Sequence, residues 1–285
     1  LSFNIEPPPS TIKEFTFQWK TWLNNFYTWV RLNMGTDFYT EVAKGNVAGH
    51  SIIHKFGSSL LTTTQRVVTQ TGTYETPLAP VTLEILSDNV NDTAAGTGAQ
   101  QVTIIGLDLN YEEISFTVEM NGTTPVTLDT DLVRLYRWYV NRSGSYADST
   151  TSSHVGVLSV QVSGGGTVWD ILPNTPLPYG QSSIGAYTIP KGKTGYLLSK
   201  QIFVDSTKSA DIFFFQRDHA DDVTTPFSGT RRLLENEIGV AGTLTMNFRS
   251  PKGRFVGPCD VGFFGSVEVS TAFTSVEFEL LLVDS

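Results

Sequence analysis

The chain of 285 residues is 40% hydrophobic and 12% aromatic, which argues against disorder and provides for one large β domain or two smaller ones with real cores. A formal net charge of -9 argues against a nucleic-acid binder. Neutralising phosphates needs clustered Lys and Arg; only Arg231-Arg232 and Lys252-Gly253-Arg254 come close, and they read as solvated faces. Cys259 alone permits no intrachain disulfide, and no apolar run reaches the roughly 18 residues of a membrane-spanning helix, so the expectation is a soluble protein made in a cytoplasm.

After Pro7-Pro8-Pro9, Thr11 and Glu14 stand at capping-box spacing and predict the start of a helix. Ile12, Phe15, Trp19, Trp22, Phe26 and Trp29 follow at alternating steps of three and four, a heptad-like seam. Leu23, Tyr27 and Val30 widen the apolar face, and Gly35 suits a C-terminal stop. The predicted helix runs from about 12 to 34 within an N-terminal arm of residues 1–44, roughly 33 Å long. Its five rings would expose on the order of 800 Å² if left uncovered, more than soluble monomers usually tolerate. Either the helix packs on its own β domain or it is an assembly arm, and such bulky seam positions favour a three-helix cluster or a groove over a two-stranded coil.

Beyond Gly45 the pattern is strands. Val81–Leu86, Gln101–Gly106, Glu113–Met120, Thr124–Leu128 and Leu132–Val140 are short β-branched or aromatic runs bounded by turn residues. His154–Val162, Val168–Leu172, Ala186–Ile189, Gly195–Val204, Ala210–Arg217, Thr243–Phe248, Gly262–Val269 and Ser275–Val283 continue the series. Ile114, Phe116, Val118 and Met120 alternate on one face, as do Val276, Phe278, Leu280 and Leu282. The fold class expected is all-β, an antiparallel, jelly-roll-like β-sandwich preceded by one N-terminal amphipathic α-helix. The Gly/Pro-rich stretch 164–183 is read as a connection between a first β-sandwich region, 45–163, and a second, 184–285; one compound sandwich with a long crossing loop fits the pattern equally.

Motifs for chemistry fail one by one. Gly192-Lys193-Thr194 lacks the first P-loop glycine, because position 187 is Tyr187. Gly96 and Gly98 lack a third glycine at Gln101, so the dinucleotide fingerprint fails too. His50 and His54 have the spacing of a helical zinc pair, but Ile52-Ile53 favours an extended chain, on which the rings lie about 13 Å apart. No serine sits in a nucleophile elbow, and Cys259 has no base nearby in sequence. Asp218, Asp221 and Asp222, beside His219, read as an ordinary surface loop, with a calcium or magnesium cation site as the rival reading. The Asp- and Asn-rich stretch 87–98 reads as a tight polar turn between strands, and the sequons at Asn91, Asn121 and Asn141 as turn asparagines. No catalytic residue, cofactor or resident metal is expected.

Five ordered phrases carry a family resemblance. They are Gly45-Asn-Val-Ala-Gly-His50-Ser-Ile-Ile-His54-Lys-Phe-Gly57, Ser87-Asp-Asn-Val-Asn-Asp-Thr-Ala-Ala-Gly-Thr-Gly98, Ile105-Gly-Leu-Asp108, Met120-Asn-Gly-Thr-Thr-Pro-Val126 and Tyr187-Thr-Ile-Pro-Lys-Gly-Lys-Thr194. Together they resemble structural proteins of tailed bacteriophages, especially marine and cyanobacterial short-tailed phages, over most of 42–140 and 184–285. The resemblance implies a non-enzymatic virion component: a capsid decoration or cement protein, or a head or tail appendage.

Two functions follow as expectations. In the first, the chain is a homo-oligomer, a trimer favoured, attached through the row Ile12, Phe15, Trp19, Trp22, Phe26 and Trp29 to other virion proteins such as the major capsid protein. Its acidic surface suits an external position, with no nucleic-acid or membrane partner. In the second, the chain is a receptor- or glycan-binding module in which Trp138, Tyr139, Tyr146 or Trp169 stacks on sugar rings.

Overall fold

A computed structural model describes residues 19–28, 37–145, 153–174 and 180–285. Two compact units divide it, Leu1–Ile52 and Ile53–Ser285. In the first, residues 19–28 form helix α1. Residues 12–18 and 29–34 of the expected helix, with Ile12, Phe15, Trp29, the Thr11–Glu14 capping box and Gly35, lie outside the described residues. A second helix, α2 (Phe38–Ala43), begins where the Asp37 carboxylate accepts from the Thr40 N–H, satisfying a donor that the first helical turn leaves open.

In the larger unit the strands fall into four sheets, with antiparallel ladders such as β11–β16, β12–β15, β3–β8 and β4–β7. The first has the order β1 (His50–Leu61), β16 (Ala272–Asp284), β11 (Lys193–Val204), β14 (Gly242–Val256). The second runs β10 (Ala186–Ile189), β15 (Cys259–Val267), β12 (Ala210–Arg217), β13 (Arg231–Val240), and the short β2 (Arg66–Val67) pairs with β15 beyond the end of β10. The third is β6 (Val126–Thr127), β3 (Leu83–Ser87), β8 (Leu158–Val162), β9 (Val168–Leu172); the fourth is β5 (Glu113–Glu119), β4 (Ala99–Leu107), β7 (Arg134–Ser143).

Alternation explains the layering. On β16, Val276, Phe278, Leu280 and Leu282 are buried while Glu277 is exposed, so one face meets apolar chains and the other water. Those side chains share one core with Tyr187 and Ile189 of β10, Ile202 and Val204 of β11, and Phe214 and Phe263 of β12 and β15. The third and fourth sheets form a second core around Leu83, Ile104, Leu135, Trp138 and Leu158, to which Ala186 and Phe215 of the second sheet also belong. β10, β12 and β15 of the second sheet are therefore buried on both faces, while the edge strand β13 is largely exposed. Arg134 of β7 fastens the two cores together through a bidentate pair to Asp260 of β15, with Nε–Oδ1 and Nη2–Oδ2 both 3.0 Å.

The expected fold class, a jelly-roll-like sandwich preceded by a single N-terminal helix, is corrected to an all-β arrangement of four sheets with two short helices among the described residues. Periodicity of two reports that a strand has a dry face and a wet one; it does not report how many sheets the strands divide into.

Candidate functional site

α1 presents a ladder of rings. Trp19 stacks on Trp22 with centroids 5.0 Å apart, and Trp22 on Phe26 at 5.2 Å. The helix still exposes large apolar chains, with Trp19 at 53%, Leu23 at 47% and Tyr27 at 66% exposure. Of the expected row, Trp19, Trp22 and Phe26 fall within the described residues and line up as the three-and-four spacing requires.

The loop that carries Asp218, Asp221 and Asp222 directs two of its carboxylates to the protein's own donors. Asp218 pairs with Arg232 and accepts from Gln216. Asp222 accepts from the Ser228 hydroxyl at 2.6 Å, the Ser228 N–H at 2.7 Å and the Thr224 N–H at 3.1 Å. The Ser228 hydroxyl bond, with the backbone donors behind it, lowers the Asp222 carboxyl to about 2. Among the described residues no group of three His, Cys, Asp or Glu is placed to hold a metal ion.

The aromatics proposed for sugar stacking are core residues in two cases. Trp138 is fully buried and donates from Nε1 to Asp170 at 2.8 Å, and Trp169 is 6% exposed. Tyr139 is half-buried with the Arg137 guanidinium over its ring, and Tyr146 lies outside the described residues. His50 and His54 both sit on β1, the extended geometry expected of them. His154 is fully buried; one ring nitrogen meets the Ser153 hydroxyl at 2.7 Å, the other the Pro173 carbonyl at 3.2 Å, and burial lowers its pKa. No catalytic constellation is assembled among the described residues.

What the sequence reading missed is a groove of about 380 Å³ where β2 and the segment after it meet the second sheet, lined by Gln65, Arg66, Thr73, Tyr74, Glu75, Thr76, Arg231 and Phe264, with others. β2 places Arg66 opposite Gly265 and Val67 opposite Phe264. The Arg66 guanidinium donates to the Thr71 carbonyl at 2.7 Å and to that of Leu60 at 3.4 Å. It lies against Gly72, where φ is +82° and any Cβ would collide with the guanidinium. On the other wall, Arg231 reaches from β13 across the sheet, 4.9 Å from the Phe264 centroid and 5.6 Å from that of Phe215. Arg231 carried a sequence signal, the Arg231-Arg232 pair; Arg66 carried none, since a lone arginine between threonines and valines reads as surface.

No family model matches the chain, and no curated protein matches it either. Similar solved structures come from infectious bursal disease virus. One is a structure of the Gx strain, at 8% identity over 83% of this chain and 73% of that one, with a TM-score of 0.25. A mutant VP2 protein of the same virus gives 10% identity over 83% and 74%, TM-score 0.20, and a VP2 subviral particle 10% over 83% and 81%, TM-score 0.14. Likeness at this level aligns no site. The resemblance to tailed-bacteriophage virion proteins is corrected: no family model and no curated protein supports the phage phrases.

Proposed function

We propose that the chain is a non-enzymatic structural protein of a virus particle that works by association, with copies of itself and with other particle proteins. The observation that carries this reading is the exposed apolar face of α1, where Leu23, Tyr27 and Trp19 remain about half or more exposed although each offers a large area to bury. Burying such side chains against a partner is worth about 1.5–3 kcal/mol for each Leu-sized chain. The infectious bursal disease virus structures stand beside this reading without carrying it. In its finer form, Ile12, Phe15, Trp19, Trp22, Phe26 and Trp29 make one assembly row that holds a homotrimer and fixes it to the shell as a decoration or cement subunit.

Sedimentation of the full chain tests it. An oligomer is expected, and Trp19→Ser with Leu23→Ser and Tyr27→Ser should shift it to the monomer while the β unit keeps its circular dichroism. A chain that sediments as a monomer at high concentration before any substitution would remove the association reading.

A second reading, a receptor- or glycan-binding surface, is favoured by the groove between Arg66 and Arg231, which is concave and falls within the volume usual for small-ligand sites.

A further inference from the structure

We propose that the groove between Arg66 and Arg231 binds a carboxylate-bearing sugar at the end of a glycan chain. The inference rests on the second reading above and names its site and ligand class.

Charge is the first argument. Among the described residues neither Arg66 nor Arg231 makes an ion pair, whereas Arg134, Arg142, Arg217 and Arg232 each meet a carboxylate. Two guanidinium groups and one carboxylate, Glu75, line the groove, which leaves it formally positive on a chain of net charge -9. A planar guanidinium matches a carboxylate in a two-point fork better than any other side chain does.

Preorganisation is the second. Arg66 is tied to the Thr71 and Leu60 carbonyls, and its Nε is buried without a hydrogen-bond partner. An uncompensated cation in that position raises the local potential without having to move when a ligand arrives. Arg231 is exposed and lies over the Phe264 ring, so its fork is oriented by the aromatic face while its edge stays open to solvent.

The rest of the lining suits a sugar. Gln65, Thr73 and Thr76 offer neutral amide and hydroxyl groups for ring hydroxyls. Phe264, half-buried and stacked on Phe213 at 5.1 Å, supplies an apolar edge for a sugar's C–H face. A ligand that was only an anion would leave these groups unused.

The test is binding of the full chain to immobilised sialyllactose, lactose and sulfated lactose, with Arg231→Gln as the variant. Arg231 is exposed and unpaired with any carboxylate, so its loss should leave the fold intact, as circular dichroism would verify. Saturable binding to sialyllactose is expected, with little to lactose, and about tenfold weaker for Arg231→Gln, the worth of one charge-assisted contact. Stronger binding to sulfated lactose than to sialyllactose would overturn the carboxylate assignment. Binding to sialyllactose that Arg231→Gln leaves unchanged would overturn the groove while sparing the glycan reading. No binding to any of the three would overturn the groove and count against that reading as well.

Discussion

Lys55 and Asp170 are both buried in the larger unit, and burial acts on them in opposite directions. Loss of hydration, helped by the charge of Arg137, lowers the Lys55 ammonium to about 7 against the opposing pull of Asp170 and Glu113. Burial raises the Asp170 carboxyl to about 7, although the Trp138 indole N–H, the Ile171 backbone and Lys55 work the other way. Asp170 binds its proton more tightly folded than unfolded, so its contribution is present below 3.8 and lost as pH rises to about 7. Lys55 binds its proton less tightly folded, so its penalty is full below about 7 and relieved as pH rises toward 10.5. The two together should carve a shallow stability minimum near pH 7. Urea midpoints measured across that range should show it, and Asp170→Asn should flatten the acid limb while leaving the alkaline one. If the acid limb persists in Asp170→Asn, the assignment to that carboxyl is wrong.

Another buried charge fixes the geometry of a turn. Asp92 is fully buried and its carboxylate accepts from the Ser87 hydroxyl at 2.7 Å and from the backbone N–H groups of Ala99, Val155 and Gly156 at 2.7–2.9 Å. The polar stretch 87–98 was legible as a turn, but the choice of Asp92 as its centre was not. With Asp88, Asn89, Asn91 and Asp92 crowded around Val90, spacing cannot tell which carboxylate the distant Val155–Gly156 segment will meet.

For single strands, local pattern was a good guide. Val168–Leu172, Ala186–Ile189 and Ala210–Arg217 coincide with β9, β10 and β12, because each is a β-branched or aromatic run closed by a turn residue. β13 was missed. Its opening pair Arg231-Arg232 reads as a solvated face, yet the strand is held by its ladder to β12, and as an edge strand it exposes Leu233 and Ile238 at 53% and 63%. The packing between strands was out of reach for the same reason that it is tight. At Gly57 of β1 an added Cβ would strike the backbone of Gly185 and the Val68 carbonyl, so β1 passes the start of β10 with no room for a side chain. Gly57→Ala should destabilise the protein by about 1–3 kcal/mol through overpacking. A denaturation midpoint unchanged in that variant would show that the two strands can part at little cost.

At the scale of the whole molecule, the expected elements were mostly right and their assembly was not. The first sheet joins β1, near the start of the described β unit, to β16 at its end, a pairing that no local window contains. The candidate site shows the same limit: Arg66 and Arg231 are 165 positions apart in sequence and line one groove only because β2 and β13 flank one sheet. Neither arginine has a neighbour in the chain that betrays the other.

Lys200 gives that assembly a weak side. Its ammonium, buried on β11, meets Glu235 at 2.5 Å and Glu237 at 2.9 Å on β13, and Lys252 of β14 adds a contact to Glu235 at 3.2 Å. Burial alone would raise the Glu235 carboxyl, but the hydrogen bond and charge of Lys200, with those of Lys252, hold it below its ordinary 4.5. This bond is fully in force above that value and fails as pH drops through the lower folded one. Acid should therefore unzip the molecule from one rim. Hydrogen exchange below pH 4.5 should quicken first in β13 and β14, the edge strands of their two sheets, and last along β16, which is paired on both sides. Each molecule thus carries a built-in seam that opens in sour surroundings before the centre gives way.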